Sequence, residues 1–389
     1  MTMKTTFLPF SRPSIGADEI EEVVDSLKSG WITTGPKVQQ FESDFAKFVG
    51  AKHAVAVNSA TSGLHLAYLA LGLKPGEEAI TTPLTFISTV SMLCSLGVKP
   101  VLADIDPNTL NIDPGEIEKK ITKKTRAIVP VHFAGLPCDL DRIKTIARKH
   151  RLKVIEDAAH AAGTEYKGGK IGALSDATVF SFHPIKNMTT GEGGMITTND
   201  DKLAEKLALL RFHGMNKLAW KRYGKGGSPH YDINCLGYKY NMMDIQAALG
   251  IHQLRKLSAF NALRSKYAQI YRKELGSLSQ IHLPQDPPYG IVHPWHLFII
   301  VIKTETLKIS RDEFIQALSD QNIGTGIHFK VVHQHPYYKE LFTAKERNLP
   351  NANYVSERIL SLPLYPSLNI GDVTRVCAVI KEIIKTNAR

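Results

Sequence analysis

From residue 51 to about residue 199 the chain alternates short, almost continuously apolar runs with longer stretches of helical periodicity. HAVAV (53–57), EAITT (78–82), KPVLADI (99–105), RAIVPVHF (126–133), LKVIEDAA (152–159), ATVFSF (177–182) and GMITT (194–198) read as strands. Runs that are apolar on both faces and separated by helices predict a mostly parallel central sheet flanked by helices, an α/β fold. An apolar helix is expected from Thr61 (TSGLHLAYLALG) and another through Ser91–Leu96. Asp113 can cap a third, with Pro114 at its first position and Glu116 closing a capping box before IEKKI.

Residues 211–240 break the pattern. The segment HGMNKLAWKRYGKGGSPHYD is rich in Gly, Lys and aromatic residues and reads as a flap or a subunit contact. Helical periodicity then runs from Met243 to about Leu275, suited to a connector between two units. A strand (HLFIIVIK, 296–303), a helix from Arg311 to Leu318 and a last helix after Gly371 complete the chain. The expected division is a large domain over 1–250 and a smaller C-terminal α+β domain over 251–389.

The 389 residues are 43% hydrophobic and 22% charged, without low-complexity tracts, which suits a globular protein with a large core. The net charge of +11 favours anionic partners. The basic residues are dispersed, and no helix-turn-helix, zinc-finger or RNA-recognition signature occurs, so phosphate-bearing small molecules are favoured over nucleic acid. The four cysteines form no CxxC pair, which fits a reducing compartment. Pro9 and Pro13 break the N-terminal stretch, and no apolar run has spanning length, so the expectation is a cytoplasmic protein with no membrane partner. No HExxH, EF-hand loop or Cys/His cluster suggests a metal.

Polar residues gather directly after the strands: Asn58 and Ser59 after the first, Asp157 after LKVIE, and Ser181 to Lys186 after ATVF. In open α/β sheets ligands bind at these carboxyl ends. Asp157 is either a cap for the next helix or the partner of a pyridinium nitrogen. Lys186, in SFHPIKNMTTGEGG, is either a loop lysine or an amine able to form a Schiff base with pyridoxal phosphate. NSATSG (58–63) is a helix cap or a phosphate cradle at a helix N-terminus, to which Ser181 could add a hydroxyl. The glycines of GEGG lack dinucleotide spacing and suit a turn into the next strand. Phe86 is a core residue or a ring that stacks on a cofactor, and His160 and His183 are packing residues or site contacts.

These segments together resemble the DegT/DnrJ/StrS family of sugar aminotransferases. The resemblance spans SGWITTGP, FESDFAKFVGAKHAVAVNSATSGLHLA, PLTFIST, PVHFAGLPCDLD, VIEDAAHAAGTEYKG, SFHPIKNMTTGEGGMITT, RFHG and GYKYNMMDIQAALG, nearly the whole chain. It implies a fold-type-I pyridoxal phosphate enzyme with Lys186 as the Schiff-base lysine and Asp157 as partner of the pyridine nitrogen. Ala60, Thr61 and Ser181 resemble phosphate-binding positions, and Phe86 the ring-stacking one. Asn241 resembles the asparagine that reaches the phosphate from a neighbouring subunit, which implies a homodimer with a shared active site. His160 stands where many members have glutamine. Trp31, His183, His328 and the 211–240 segment are the candidates for substrate contact.

The branch most similar at the N-terminus aminates C4 of a UDP-linked 4-keto sugar with L-glutamate as donor, for lipopolysaccharide or another surface glycan. The alternatives are C3 amination of a dTDP-3-keto sugar or a cyclitol ketone, a sugar dehydratase, and a non-catalytic nucleotide-sugar or nucleic-acid-binding protein. The dehydratase branch carries histidine at the Lys186 position, so the lysine favours transamination.

Overall fold

The structure is a computed structural model and describes residues 6–216 and 230–389. The first strands are β1 (His53–Val57), β2 (Glu78–Thr81), β3 (Lys99–Leu102), β4 (Thr125–Val129) and β5 (Lys153–Asp157). Next come the short β6 (Glu165–Tyr166) and β7 (Gly169–Lys170), then β8 (Ala177–Ser181) and β9 (Gly194–Thr198). The later chain adds β10 (Ile281–His282), β11 (Ile291–Val292), β12 (Phe298–Ile302) and β13 (Ile359–Leu362).

Among the described residues the central sheet has seven strands in the order β1-β9-β8-β5-β4-β2-β3. All its pairs are parallel except those of β9, which runs against both β1 and β8. The expected mostly parallel sheet is therefore present. β10, β12 and β13 form a small antiparallel sheet, and β11, β6 and β7 another.

The helices are α1 (Ala17–Ser29), α2 (Pro36–Val49), α3 (Ala60–Ala70), α4 (Ser88–Ser95), α5 (Pro114–Lys119), α6 (Leu140–His150) and α7 (Asp201–Leu210). They continue as α8 (Asp244–Leu275), α9 (Arg311–Asp320), α10 (Pro336–Lys339), α11 (Pro350–Ser356) and α12 (Ile370–Asn387). Alternation along each strand sorts side chains to two faces. Val55, Val57, Val129, Ile155 and Val179 pack against Leu64 and Leu66 of α3 and Leu203 and Leu207 of α7. On the other face, Ile80, Ile128 and Val154 meet Ile117, Ile143 and Ile146, and Phe180 meets Phe41 and Phe45 of α2.

Phe182, just past β8, is fully buried with its ring 5.4 Å from Phe45 and 5.3 Å from Phe41. Each such ring contributes roughly 2–3 kcal/mol by leaving water. This anchor fixes the start of the loop that carries Lys186.

α8 packs its first half, Ala247 to Leu257, on the core of the central sheet, and its second half, Tyr267 to Leu275, on the core around β12, β13 and α12. Among the described residues no helix is long and apolar enough to cross a membrane.

Two local expectations need correction. Asp113 does cap α5, accepting from the Gly115 amide at 2.7 Å, but Glu116 does not close a capping box. Its carboxylate pairs instead with Lys119 at 2.6 Å, a neighbour one turn along the same face. The helix expected from Thr61 begins at Ala60, because Ser59 takes the cap and accepts from the Ser62 amide. The middle of the 211–240 segment, residues 217–229, lies outside the described residues.

Candidate active site

The antiparallel β9 shapes one edge of the site. Gly194, its first residue, pairs with Val57 at the end of β1 and with Ser181 at the end of β8. Asp157, at the end of β5, pairs with Val179 of β8. The carboxyl ends of three strands thus lie side by side. Gly194 has to be glycine, since a Cβ there would sit 2.7 Å from the Ala60 amide nitrogen and collide with the turn into α3.

These ends open into a cavity of about 520 Å³ lined by Ala60, Thr61, Phe86, Asp157, His160, Ser181, His183, Lys186 and His328, among others. A volume in that range suits a cofactor-sized ligand. The structure thus brings nine of the eleven candidate site residues together.

Lys186 follows the Phe182 anchor, its amide bonded to the His183 carbonyl at 2.9 Å. Burial lowers its amine to about 8 against the opposing pull of Asp157, so an appreciable neutral fraction exists near neutrality. Among the described residues its ammonium has no carboxylate within ion-pair distance. Asp157 is only 4% exposed. Its Oδ2 accepts from the Thr89 hydroxyl at 2.7 Å and its Oδ1 from the Ala159 amide at 3.1 Å. Burial nevertheless pushes this carboxyl above its ordinary value, with the Thr89 and Ala159 bonds pulling the other way.

At the far side, Ser59 caps α3, so the first amides of that helix, at Ala60 and Thr61, meet the cavity with the positive end of the helix dipole. The Phe86 ring is 58% exposed and 6.2 Å from Phe329, so it is a cavity wall and not core.

His160 is buried, and burial followed by the Lys186 charge holds it neutral. Its Nδ1 accepts from the Ala134 amide at 3.2 Å, which puts the proton on Nε2 as a donor. His328 is lowered to about 4 by burial and by Lys186, and its Nδ1 lies 2.8 Å from the Ser361 hydroxyl. His183 is more open, 3.9 Å from the Glu192 carboxylate.

Trp31 and Asn241 do not line this cavity. Asn241 donates to the Thr34 hydroxyl at 2.6 Å, and Trp31 Nε1 donates to the Thr34 carbonyl at 3.2 Å. Both belong to a second cluster in which Asp244 accepts from the amides of Gly35 and Val38 at the start of α2. The cluster lies against the end of β1, where Asn241 bridges Val57.

Sequence reasoning passed over Thr85 and Thr89, although they flank Phe86 at the i, i+4 spacing that puts two side chains on one helical face. It also passed over His296, whose ring lies 4.3 Å from that of His160 and whose Nδ1 donates to Asn187, next to Lys186. No local signal marks His296, because that contact spans 109 residues.

The donor set fits pyridoxal phosphate. A partly neutral amine faces the cavity that also holds a buried carboxylate with no cation at ion-pair distance among the described residues, and a helix N-terminus with the Ser181 hydroxyl can take an anion.

Residues 13–381 match the DegT/DnrJ/EryC1/StrS aminotransferase family. The spore coat polysaccharide biosynthesis protein SpsC of Bacillus subtilis is 50% identical over 380 residues, 97% of each chain. Among solved structures, Spr1654 of Streptococcus pneumoniae, a sugar aminotransferase in its pyridoxal phosphate form, superimposes with a TM-score of 0.89 at 32% identity, covering 98% of this chain and 99% of that one. Helicobacter pylori PseC, an aminotransferase of pseudoaminic acid biosynthesis, gives 0.90 at 31%, covering 98% and 100%.

Proposed function

This chain belongs to the DegT/DnrJ/EryC1/StrS aminotransferase family, and from that premise we propose that it transfers the amino group of L-glutamate to C4 of a UDP-linked 4-keto sugar. Its cofactor is pyridoxal 5′-phosphate, and its product enters a surface polysaccharide or a related glycan. The observation that carries this reading is the convergence of Lys186, Asp157 and the α3 N-terminus on one cavity. The names of SpsC and PseC agree with a sugar acceptor in glycan assembly.

When bound, pyridoxal phosphate supplies an aldehyde that captures amines and a protonated ring that draws electrons from a breaking C–H bond. The Ala60 and Thr61 amides and the Ser181 hydroxyl would hold its phosphate, Phe86 would pack against its ring, and His160 would offer its Nε2–H as a donor. The Asp157 carboxylate would favour a proton on its ring nitrogen. Lys186 Nζ, whose value near 8 leaves it free to change protonation state, would move a proton within each half-reaction: from the α-carbon of glutamate to the cofactor's aldehyde-derived carbon, and later from that carbon to the sugar carbon. Trp31, His183 and His328 are assigned to the nucleotide-sugar side, the two histidines from within the cavity and Trp31 from the cluster outside it.

The working unit in this reading is a homodimer. Helix α1 buries Glu19 and Ser26 but exposes Ile20, Val24 and Leu27, an apolar stripe that a second copy would cover. The cavity of one chain sets two carboxylates, Asp157 and Glu192, against the single Lys186, so further donors from a second copy would complement a cofactor phosphate and an anionic donor. Asn241, outside the cavity of its own chain, is then the residue that each copy offers to the phosphate of the other.

The test is spectroscopic. Protein mixed with pyridoxal phosphate gains a visible band, L-glutamate bleaches it, and a UDP-4-keto sugar restores it with ping-pong kinetics. Restoration by a dTDP-3-keto sugar or a cyclitol ketone instead would move the acceptor. Lys186→Ala and Lys186→Arg lose both band and turnover; near-normal turnover in either sinks the mechanism.

A further inference from the structure

In the wall of the cavity the Thr85, Thr89 and Asp157 side chains form a directed chain of hydrogen bonds. All three are buried, at 3%, 0% and 4% exposure. The Thr85 and Thr89 hydroxyl oxygens lie 2.8 Å apart, and the Thr89 hydroxyl lies 2.7 Å from Asp157 Oδ2. A hydroxyl has one proton to give. Thr89 Oγ1 is also 3.2 Å from the Phe86 carbonyl, but the closer and charged acceptor takes the proton. Thr85 then donates to Thr89, and Thr89 donates to Asp157.

This direction matters because donors favour a carboxylate over a carboxylic acid. Asp157 has two donors, Thr89 and the Ala159 amide. The charged and titratable groups around it are Lys186 from the loop after β8, His132 from the loop after β4, and Tyr68 from α3. Tyr68 does not touch the carboxylate; its hydroxyl donates to the Thr89 carbonyl at 3.1 Å and holds that residue from behind. Thr85 and Phe86, which walls the cavity, lie just before α4, and Thr89 lies in the first turn of that helix. One hydrogen-bonded unit therefore links the carboxylate to the ring.

We propose that Thr89, oriented by Thr85, is a positioning residue that keeps Asp157 a carboxylate and fixes it relative to Phe86, so that ring nitrogen and ring face are addressed together. The inference rests on the cofactor reading above, but its first test does not use the cofactor.

In cofactor-free protein carrying carboxyl-labelled aspartate, the Asp157 signal, assigned by its loss in Asp157→Asn, is titrated by carbon NMR. Thr89→Val keeps the shape of the side chain and removes the donor, so the Asp157 titration moves to higher pH, and Thr89→Ser moves it back. Thr85→Val gives a smaller shift in the same direction. With cofactor and substrates, Thr89→Val lowers kcat by roughly tenfold to a hundredfold, the worth of one bond to a charged group. An unshifted titration in folded Thr89→Val, or a shift that Thr89→Ser fails to reverse, overturns the proposal. Failure of the cofactor reading shows separately, as wild-type protein that gains no visible band with pyridoxal phosphate.

Discussion

Strand β5 carries two adjacent carboxylates, Glu156 and Asp157, that face opposite sides of the central sheet. Both are buried, at 0% and 4% exposure. Glu156 Oε2 lies 2.7 Å from His132 Nε2, and its Oε1 accepts from the Thr178 hydroxyl at 3.2 Å. His132 Nδ1 accepts from the Cys138 amide at 3.1 Å, so Nε2 carries the proton and donates. Burial pushes Glu156 up, yet the His132 bond and charge, together with Ser175 and Lys144, outweigh it and the carboxyl sits below its ordinary value. Asp157 has an amide and a hydroxyl but no in-chain cation at bonding distance among the described residues, and it sits above its ordinary value. Burial therefore does not distinguish a structural carboxylate from a functional one. The difference is whether the chain supplies the compensating partner or leaves that to a ligand.

The sharpest way to break this contrast is to neutralise each carboxylate alone. Asp157→Asn is expected to lower kcat/KM by roughly a thousandfold, about 4 kcal/mol, the scale of a buried pair that loses one partner. Its unfolding midpoint without cofactor should not fall. Glu156→Gln is expected to do the reverse: a loss of about 3 kcal/mol in denaturant unfolding, with kcat held within roughly threefold. Equal losses of activity in the two variants, read in steady-state assays, would erase the distinction between the faces.

Much of this site is legible from sequence because its parts are local. VIEDAAHAAG and SFHPIKN announce themselves as strand ends, and strand ends are where an open α/β sheet binds ligands. The pattern does not say which of two neighbouring carboxylates faces the ligand, since period-2 alternation fixes their opposition but not the side. Thr89 was equally hidden, because its role depends on a residue 68 positions away. His296 reaches Asn187 across 109 positions. Helix α1 is amphipathic by pattern, yet the structure turns Ile20, Val24 and Leu27 outward while Lys256 and Gln253 of α8 hold Glu19 inward. Local periodicity gives the stripe but not its cover.

The contrast sharpens further when the cofactor-free protein is followed through pH. Glu156 is depressed in the fold, so its contribution to stability is present above the ordinary glutamate value and is lost as pH falls through the folded one. Asp157 is raised, so its ionised form is penalised: the penalty is absent below the ordinary aspartate value and complete above the folded one. The deficit of Glu156→Gln against wild type is thus expected to shrink toward acid pH. Asp157→Asn, by contrast, is expected to be more stable than wild type near neutrality, by about 1 kcal/mol, as when a strained functional group is relieved. That advantage should also fade toward acid pH. Urea unfolding of the three proteins from roughly pH 2 to pH 8 reads both signs, that of Asp157 above the ordinary aspartate value and that of Glu156 below the ordinary glutamate value. A neutral-pH loss of stability in Asp157→Asn would mean that Asp157 is a structural group like Glu156, whatever its place in the cavity.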